Sequence, residues 1–165
     1  MRAVLALVVF WAAAGFLSIP SALAQDTKAD RKAATALPSD KLLAEVVGGR
    51  MSKLFPKFGY PVDVFTSDAS SNKPSVFLDY DSYGFKIRNK VVGSCMVFSD
   101  WKGTVFNATM GDSQDEIVKK LGKPKTSDKG DDGLPYMKWS FKDWDGSLEI
   151  DFDKDNKMYR AVIED

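Results

Sequence analysis

The chain has no histidine and only one cysteine, Cys95, in 165 residues. Without histidine, Ser-His-Asp and Cys-His nucleophiles, imidazole acid–base catalysis and His-ligated zinc are excluded. A lone cysteine builds neither a thiolate zinc site nor an internal disulfide. Excess charge is also lacking: 23 basic side chains stand against 23 acidic ones, which argues against nucleic acid as a partner. Gly-rich phosphate loops are missing. Carboxylates are plentiful, but no spacing singles out the acid pair a glycosidase needs. These absences favour a protein that binds without catalysis, cofactor or metal.

The first 24 residues read as a secretory signal peptide. Arg2 precedes an apolar stretch from Ala3 to Leu17, then Pro20 and the small-x-small run Ala22-Leu23-Ala24. A membrane span needs about 20 apolar residues, and this run stops at Pro20. A periplasmic or secreted chain beginning at Gln25 is expected, with residues 25–37 as a polar, alanine-rich leader. Cys95 then sits alone in an oxidising compartment. It reads as a buried small hydrophobe in the run Val91–Phe98, with an intermolecular disulfide in a dimer as the other reading.

Beyond the leader the hydrophobic period changes twice. Leu42, Leu43, Val46 and Val47 recur at helical spacing after Pro38-Ser39-Asp40, and Gly48-Gly49 ends the helix. Met51–Phe58 is a second helical stretch, shortened or kinked by Pro56. Strands follow over residues 62–66, Val76–Tyr80, Phe85–Ile87 and Val91–Phe98, with a polar loop from Ser67 to Pro74 and a turn at Arg88-Asn89-Lys90. A helix returns at Gly111–Glu116, where Asp112 or Ser113 caps and Asp115 or Glu116 suits the positive terminus. Ile117, Val118 and Leu121 face inward. A loop over Ser127–Pro135, a strand through Met137, Trp139 and Phe141, a turn at Asp143–Gly146 and strands through Leu148–Phe152 and Met158–Ile163 complete the pattern.

The two halves align at an offset of 63 residues. Gly48 falls on Gly111, Lys57 on Lys120, Gly59 on Gly122 and Pro61 on Pro124, while Leu54, Phe55 and Phe58 fall on Ile117, Val118 and Leu121. Pro56 has no counterpart, since Lys119 occupies its place. Two units are expected, 38–98 and 99–165.

The run Gly111-Asp112-Ser113-Gln114-Asp115-Glu116-Ile117-Val118-Lys119-Lys120-Leu121-Gly122-Lys123-Pro124, with Tyr136–Trp139 and Leu148–Phe152 after it, resembles the SmpA/OmlA-like domain of small envelope proteins over residues 104–165. Because the pattern occurs twice, the chain also resembles the β-lactamase inhibitor protein (BLIP) family. That resemblance implies an α+β fold in which tandem helix-loop-helix plus antiparallel β-meander units share one curved sheet that grips a protein partner. It implies a proteinaceous inhibitor or immunity protein acting on a secreted or envelope hydrolase or toxin by steric occlusion. The SmpA/OmlA likeness implies the alternative, an envelope scaffold or assembly factor. Lipid-anchored SmpA/OmlA members carry a cysteine after the signal, and this chain has none there.

Two further features bear on function. Asp151–Asn156 places acidic residues at alternate positions as calcium loops do, but Asn156 stands where such a loop wants glycine, so a hairpin turn is the expected reading. Trp101 and Trp144, in polar turn-like settings, and Tyr83 and Tyr136 are the candidate protein-binding residues, because Trp and Tyr dominate interface hot spots. A tryptophan folded back over the edge of its own sheet is the competing expectation.

Overall fold

The computed structural model describes residues 38–67, 74–142 and 144–165, all within one compact unit. The expected signal peptide, the leader and most of the Ser67–Pro74 loop lie outside the described residues. Helix α1 (Asp40–Val46) starts where Ser39 accepts the Leu42 N–H, and buries Leu43 and Val46. A 3-10 turn (Met51–Lys53) leads into α2 (Leu54–Phe58). Pro56 falls in the first turn of α2, where its missing N–H has no intrahelical acceptor to lose, so it causes no break.

Strands β1 (Asp63–Ser67), β2 (Ser75–Asp79), β3 (Tyr83–Arg88) and β4 (Val91–Val97) form an antiparallel meander. Asn89 and Lys90, both at positive φ, make the tight β3–β4 turn. After it come a small hairpin, β5 (Thr104–Val105) and β6 (Ala108–Thr109), and helix α3 (Gln114–Leu121). A second meander follows: β7 (Thr126–Lys129), β8 (Pro135–Phe141), β9 (Trp144–Phe152) and β10 (Met158–Glu164).

The meanders join through their final strands into one eight-stranded sheet, ordered β1-β2-β3-β4-β10-β9-β8-β7. Ala161 pairs with Val97 and Ile163 with Cys95, on either side of the Met96–Val162 pair. The first meander sets Phe85 beside Cys95 and the second sets Ile150 beside Ala161. Exchanging the halves therefore maps the central pairing onto itself.

Local geometry repeats as well. Gly48 and Gly111 both take positive φ, and their N–H groups donate to the Val92 and Met158 carbonyls, each at 2.8 Å. Gly59 and Gly122 end their helices at φ 73°, ψ −160° and φ 81°, ψ −170°, an extended left-handed conformation only glycine adopts readily. The Gly59 carbonyl accepts the Tyr80 hydroxyl at 3.1 Å, and the Gly122 carbonyl accepts the Trp139 indole N–H at 3.0 Å. Strand register places Tyr80 and Trp139 at corresponding positions.

Three sequence expectations are corrected. A helix-loop-helix in each unit fails in the second half, where the segment 63 residues beyond α1 is the β5–β6 hairpin. Phe106 and Asn107, both at positive φ, turn it, and Thr104, Val105 and Thr109 suit strands better than a helix. The loop expected over Ser127–Pro135 contains most of β7, whose exposed polar side chains hide its pairing with β8. The turn expected at Asp143–Gly146 is already strand from Trp144 onward; Asp143 lies outside the described residues.

Helices and sheet meet on one face. Leu43, Leu54, Phe58 and Ile117 pack with Phe85, Ile87, Val97, Trp139, Leu148, Ile150 and Phe152 in a single core. At α3, Ser113 accepts the Glu116 N–H while the Glu116 carboxylate accepts the Ser113 N–H at 2.7 Å, so of the two capping candidates Ser113 is the one used. The Ser113 hydroxyl, donating to the same carboxylate at 2.6 Å, and then the Ser113 N–H hold the Glu116 carboxyl below its usual range. Ser113→Ala should cost about 1 kcal/mol, read as a lower denaturant midpoint at unchanged slope.

Candidate functional site

Strand pairing divides the sheet's side chains between two faces. The face away from the helices carries Phe65, Phe77, Lys86, Ser94, Met96, Val162, Glu164, Arg160, Glu149, Asp151, Lys138 and Tyr136. Phe77 and Val162 are buried yet stand apart from the helix-side core. No described helix packs here, so this face is open among the described residues.

The open face is chemically split. On the first meander, Phe77 lies between Phe65, at 5.0 Å, and Phe98, at 6.1 Å between ring centres. Gly84 creates its seat, because a Cβ there would collide with the Phe77 ring. Phe65 is 47% exposed, unusual for phenylalanine and the kind of group an interface covers. On the second meander, Lys138 Nζ reaches Glu164 at 2.8 Å and Glu149 at 3.9 Å, and Arg160 Nε donates to Asp151 at 2.6 Å. Burial, with the Asp151 charge adding to it, raises the Glu149 carboxyl above its ordinary range. Hydrogen bonding to Glu164 raises Lys138. An aromatic patch and an alternating-charge lattice thus flank the Met96–Val162 centre.

The sequence-derived binding residues separate. Tyr136 lies half-buried on the open face, paired across strands with Asp151. Trp101 and Tyr83 do not reach a surface a partner could use. Trp101 is 2% exposed, its indole N–H aimed at the Thr104 carbonyl and its ring edge-on to Tyr83 at 5.7 Å. Tyr83 stacks on Tyr80 at 5.1 Å, and burial pushes its hydroxyl well above its usual range. The Tyr80 hydroxyl is raised to about 12 by burial alone. Trp144 is half-buried, stacked on Phe106 at 5.5 Å on the helix side of the sheet. It borders a shallow hollow of about 410 Å³ beside α1. A folded-back tryptophan is thus what the structure holds at Trp101, whose polar flanks describe only the turn before it.

Cys95 is wholly enclosed on the core side of β4, where burial drives its thiol far above its usual range. An intermolecular disulfide there would require unfolding. Asp151–Asn156 closes the β9–β10 hairpin: the Asp153 carboxylate accepts the N–H groups of Asp155 and Lys157, each at 2.9 Å, and Asp151 is engaged by Arg160. Among the described residues no group of three metal-ligating side chains gathers, and no helix is long and apolar enough to cross a membrane.

A second concavity has no periodic signature in the sequence. Between α2 and the helix side of β1–β3 lies a groove of about 670 Å³. Met51, Phe55, Tyr60, Val64, Val76 and Leu78 form most of its wall. Tyr60 is 89% exposed and Val64 54%. The signal was present as two apolar side chains outside any periodic stripe, Tyr60 between Gly59 and Pro61 and Val64 on an edge strand.

The class this geometry defines is α+β, with one large antiparallel sheet and few helices. No family model and no curated protein matches the chain. Among solved structures, an extracellular protein containing a SCP domain from Bacillus anthracis superposes with a TM-score of 0.53 at 16% identity, over 79% of this chain and 47% of its own. A DUF4309 family protein (YjgB) from Bacillus subtilis gives 0.53 at 11% identity, over 78% of this chain and 86% of its own. The chain thus spans about half the length of the first. At these identities the likeness is one of fold. Neither neighbour bears on the SmpA/OmlA or inhibitor resemblance.

Proposed function

We propose that the chain is a secreted or periplasmic protein-binding module that uses the open face of its sheet, acting without catalysis or cofactor. The observation that carries this reading is the split open face. Phe65, 47% exposed and seated on the buried Phe77 ring with half-buried Phe98 beyond it, supplies apolar area that no described element covers, and the Lys138–Glu149–Glu164 and Arg160–Asp151 lattice supplies directional charge. An aromatic patch gives affinity and a charged flank gives register, the usual division of labour at protein interfaces. Secretion rests on the residue 1–24 pattern.

In this reading the two meanders are tandem copies of one unit, as in the β-lactamase inhibitor architecture. The repeated glycine geometry, the equivalent Tyr80 and Trp139 hydrogen bonds and the self-mapping central pair support it. A hydrolase or toxin whose active site is covered by this face would be inhibited sterically.

The test is affinity capture of the chain's partner from envelope and secreted extracts, then affinity measurement with purified components. Phe65→Asp should weaken binding about thirtyfold, a hot-spot loss of about 2 kcal/mol, with little change in folding because Phe65 is half-exposed. Loss of the partner's turnover on binding would mark an inhibitor. A partner set of envelope assembly proteins with unaltered activities would mark the scaffold. Unchanged affinity in Phe65→Asp would remove the open face from the mechanism.

A further inference from the structure

The groove between α2 and β1–β3 lies on the opposite side of the sheet from the proposed protein-binding face, so its occupant is a separate question. We infer that it binds a linear acyl chain ending in a carboxylate. The second meander provides an internal comparison. The positions corresponding to Met51, Phe55, Tyr60 and Val64 are Gln114, Val118, Lys123 and Ser127. The same backbone therefore presents polar or smaller side chains in one half and a run of large apolar ones in the other. Packing accounts for little of Tyr60 and Val64: the Tyr60 ring tilts against Phe55 at 5.7 Å, yet both side chains stay largely exposed to solvent. Exposed apolar surface beside a concavity is costly unless something covers it.

The shape and charge of the groove narrow the occupant. Its volume falls within the range of small-molecule sites, and its walls are aliphatic and aromatic along the Phe55–Val64–Leu78 side. Apart from the Tyr60 hydroxyl, the polar side chains of the lining are Asn89 and Lys90, neighbours in the β3–β4 turn at the end of β3. Lys90 is the single charged residue of the lining, and no acidic one joins it among the described residues. The adjoining 3-10 segment, held to the turn by the Met51 N–H to Lys90 carbonyl bond at 2.9 Å, adds the exposed cations Arg50 and Lys53. An apolar trough with cations at one end complements an aliphatic tail with an anionic head. A peptide adding to the β1 edge is less suited, since the Asp63 carboxylate already accepts the Val64 N–H at 2.8 Å.

Calorimetric titration of the purified chain with dodecanoate, below its micelle concentration, tests this, with dodecanol and phosphatidylglycerol vesicles as parallel arms. Saturable one-to-one binding of dodecanoate is expected, lost in Val64→Lys and weakened about fivefold in Lys90→Asn, a size typical of one exposed charge contact. Dodecanol affinity should be unaffected by Lys90→Asn. Asparagine tolerates the positive φ at that turn, and Val64 is exposed, so both variants should keep the parent's melting temperature. No saturable binding, or binding indifferent to Val64→Lys, would overturn the assignment. So would binding to vesicles alone, or a concentration-dependent dimer that Val64→Lys abolishes, which would give the groove to a membrane surface or to a second copy. Partner capture through Phe65 is read independently, so either reading can fail alone.

Discussion

Trp101→Ala should destabilise the protein by about 3–5 kcal/mol, the range for removing a large aromatic from a packed core. The side chain is almost completely enclosed, edge-on to Tyr83, and its indole lies where a Cβ at Gly103 would collide with it at 2.8 Å. Alanine would leave a cavity among Tyr83 and its stacked neighbour Tyr80, and would strand no partner beyond the Thr104 carbonyl. Chemical denaturation should show a lower midpoint, and thermal unfolding a large drop in Tm. If instead the variant kept parental stability and lost only partner affinity, Trp101 would be an interface residue and the packing described above would be wrong. Binding assays on this variant therefore need a folding control that Phe65→Asp scarcely needs.

A large effect is also expected at Gly146, for a different reason. It lies buried in β9, and a Cβ there would overlap both the Trp144 ring and the backbone carbonyl of Glu164. The ring could swing away only by leaving its stack on Phe106, and the carbonyl belongs to β10, whose pairing with β9 fixes it. Gly146→Ala should cost about 2–3 kcal/mol, at the upper end of overpacking. Gly146→Val should prevent accumulation of folded chain. A double variant, Gly146→Ala with Trp144→Ala, should recover only part of the loss, since the Glu164 clash persists. Full recovery would place the whole conflict in the side chain.

These two residues also show where the sequence speaks and where it is silent. Alternation along Met137-Trp139-Phe141 and Leu148-Ile150-Phe152 announced strands, and Ser113 with Glu116 announced a helix start, because period and capping are local. Gly146 read as a turn residue because Asp143-Trp144-Asp145-Gly146 is polar and glycine-bearing. Its actual constraint comes from β10, a neighbour in space. β7 leaves no mark in the sequence for a related reason: an edge strand with both faces wet needs no hydrophobic alternation. The polar flanks of Trp101 describe a turn, yet the chain carries its ring back beneath Tyr83.

The site was less legible than the fold. Of the four aromatics singled out, only Tyr136 reached the open face, because local polarity does not tell which side of a sheet a residue takes. Phe65, Phe77 and Phe98 come from three separate segments, and only the β1–β2–β3–β4 register assembles them. Val64 and Tyr60 belong to no periodic stripe, so their apolar exposure emerges only once burial is known. The 63-residue offset was different, since paired glycines with demanding backbone angles leave a mark in the sequence itself.

The central β4–β10 pairing has a consequence for synthesis and export. Every other pairing in the large sheet joins neighbouring strands of a meander, and these can zip as soon as each hairpin is made. Val97 must wait for Ala161, about sixty residues further along the chain. Until then β4 presents an unpaired backbone edge backed by Val92, Cys95 and Val97, an invitation to the β4 edge of another emerging copy. A chain cut after Ser99 should therefore sediment as a dimer or larger species where the whole chain does not. In the cell, the interval before β10 appears is when this protein most needs a chaperone's protection.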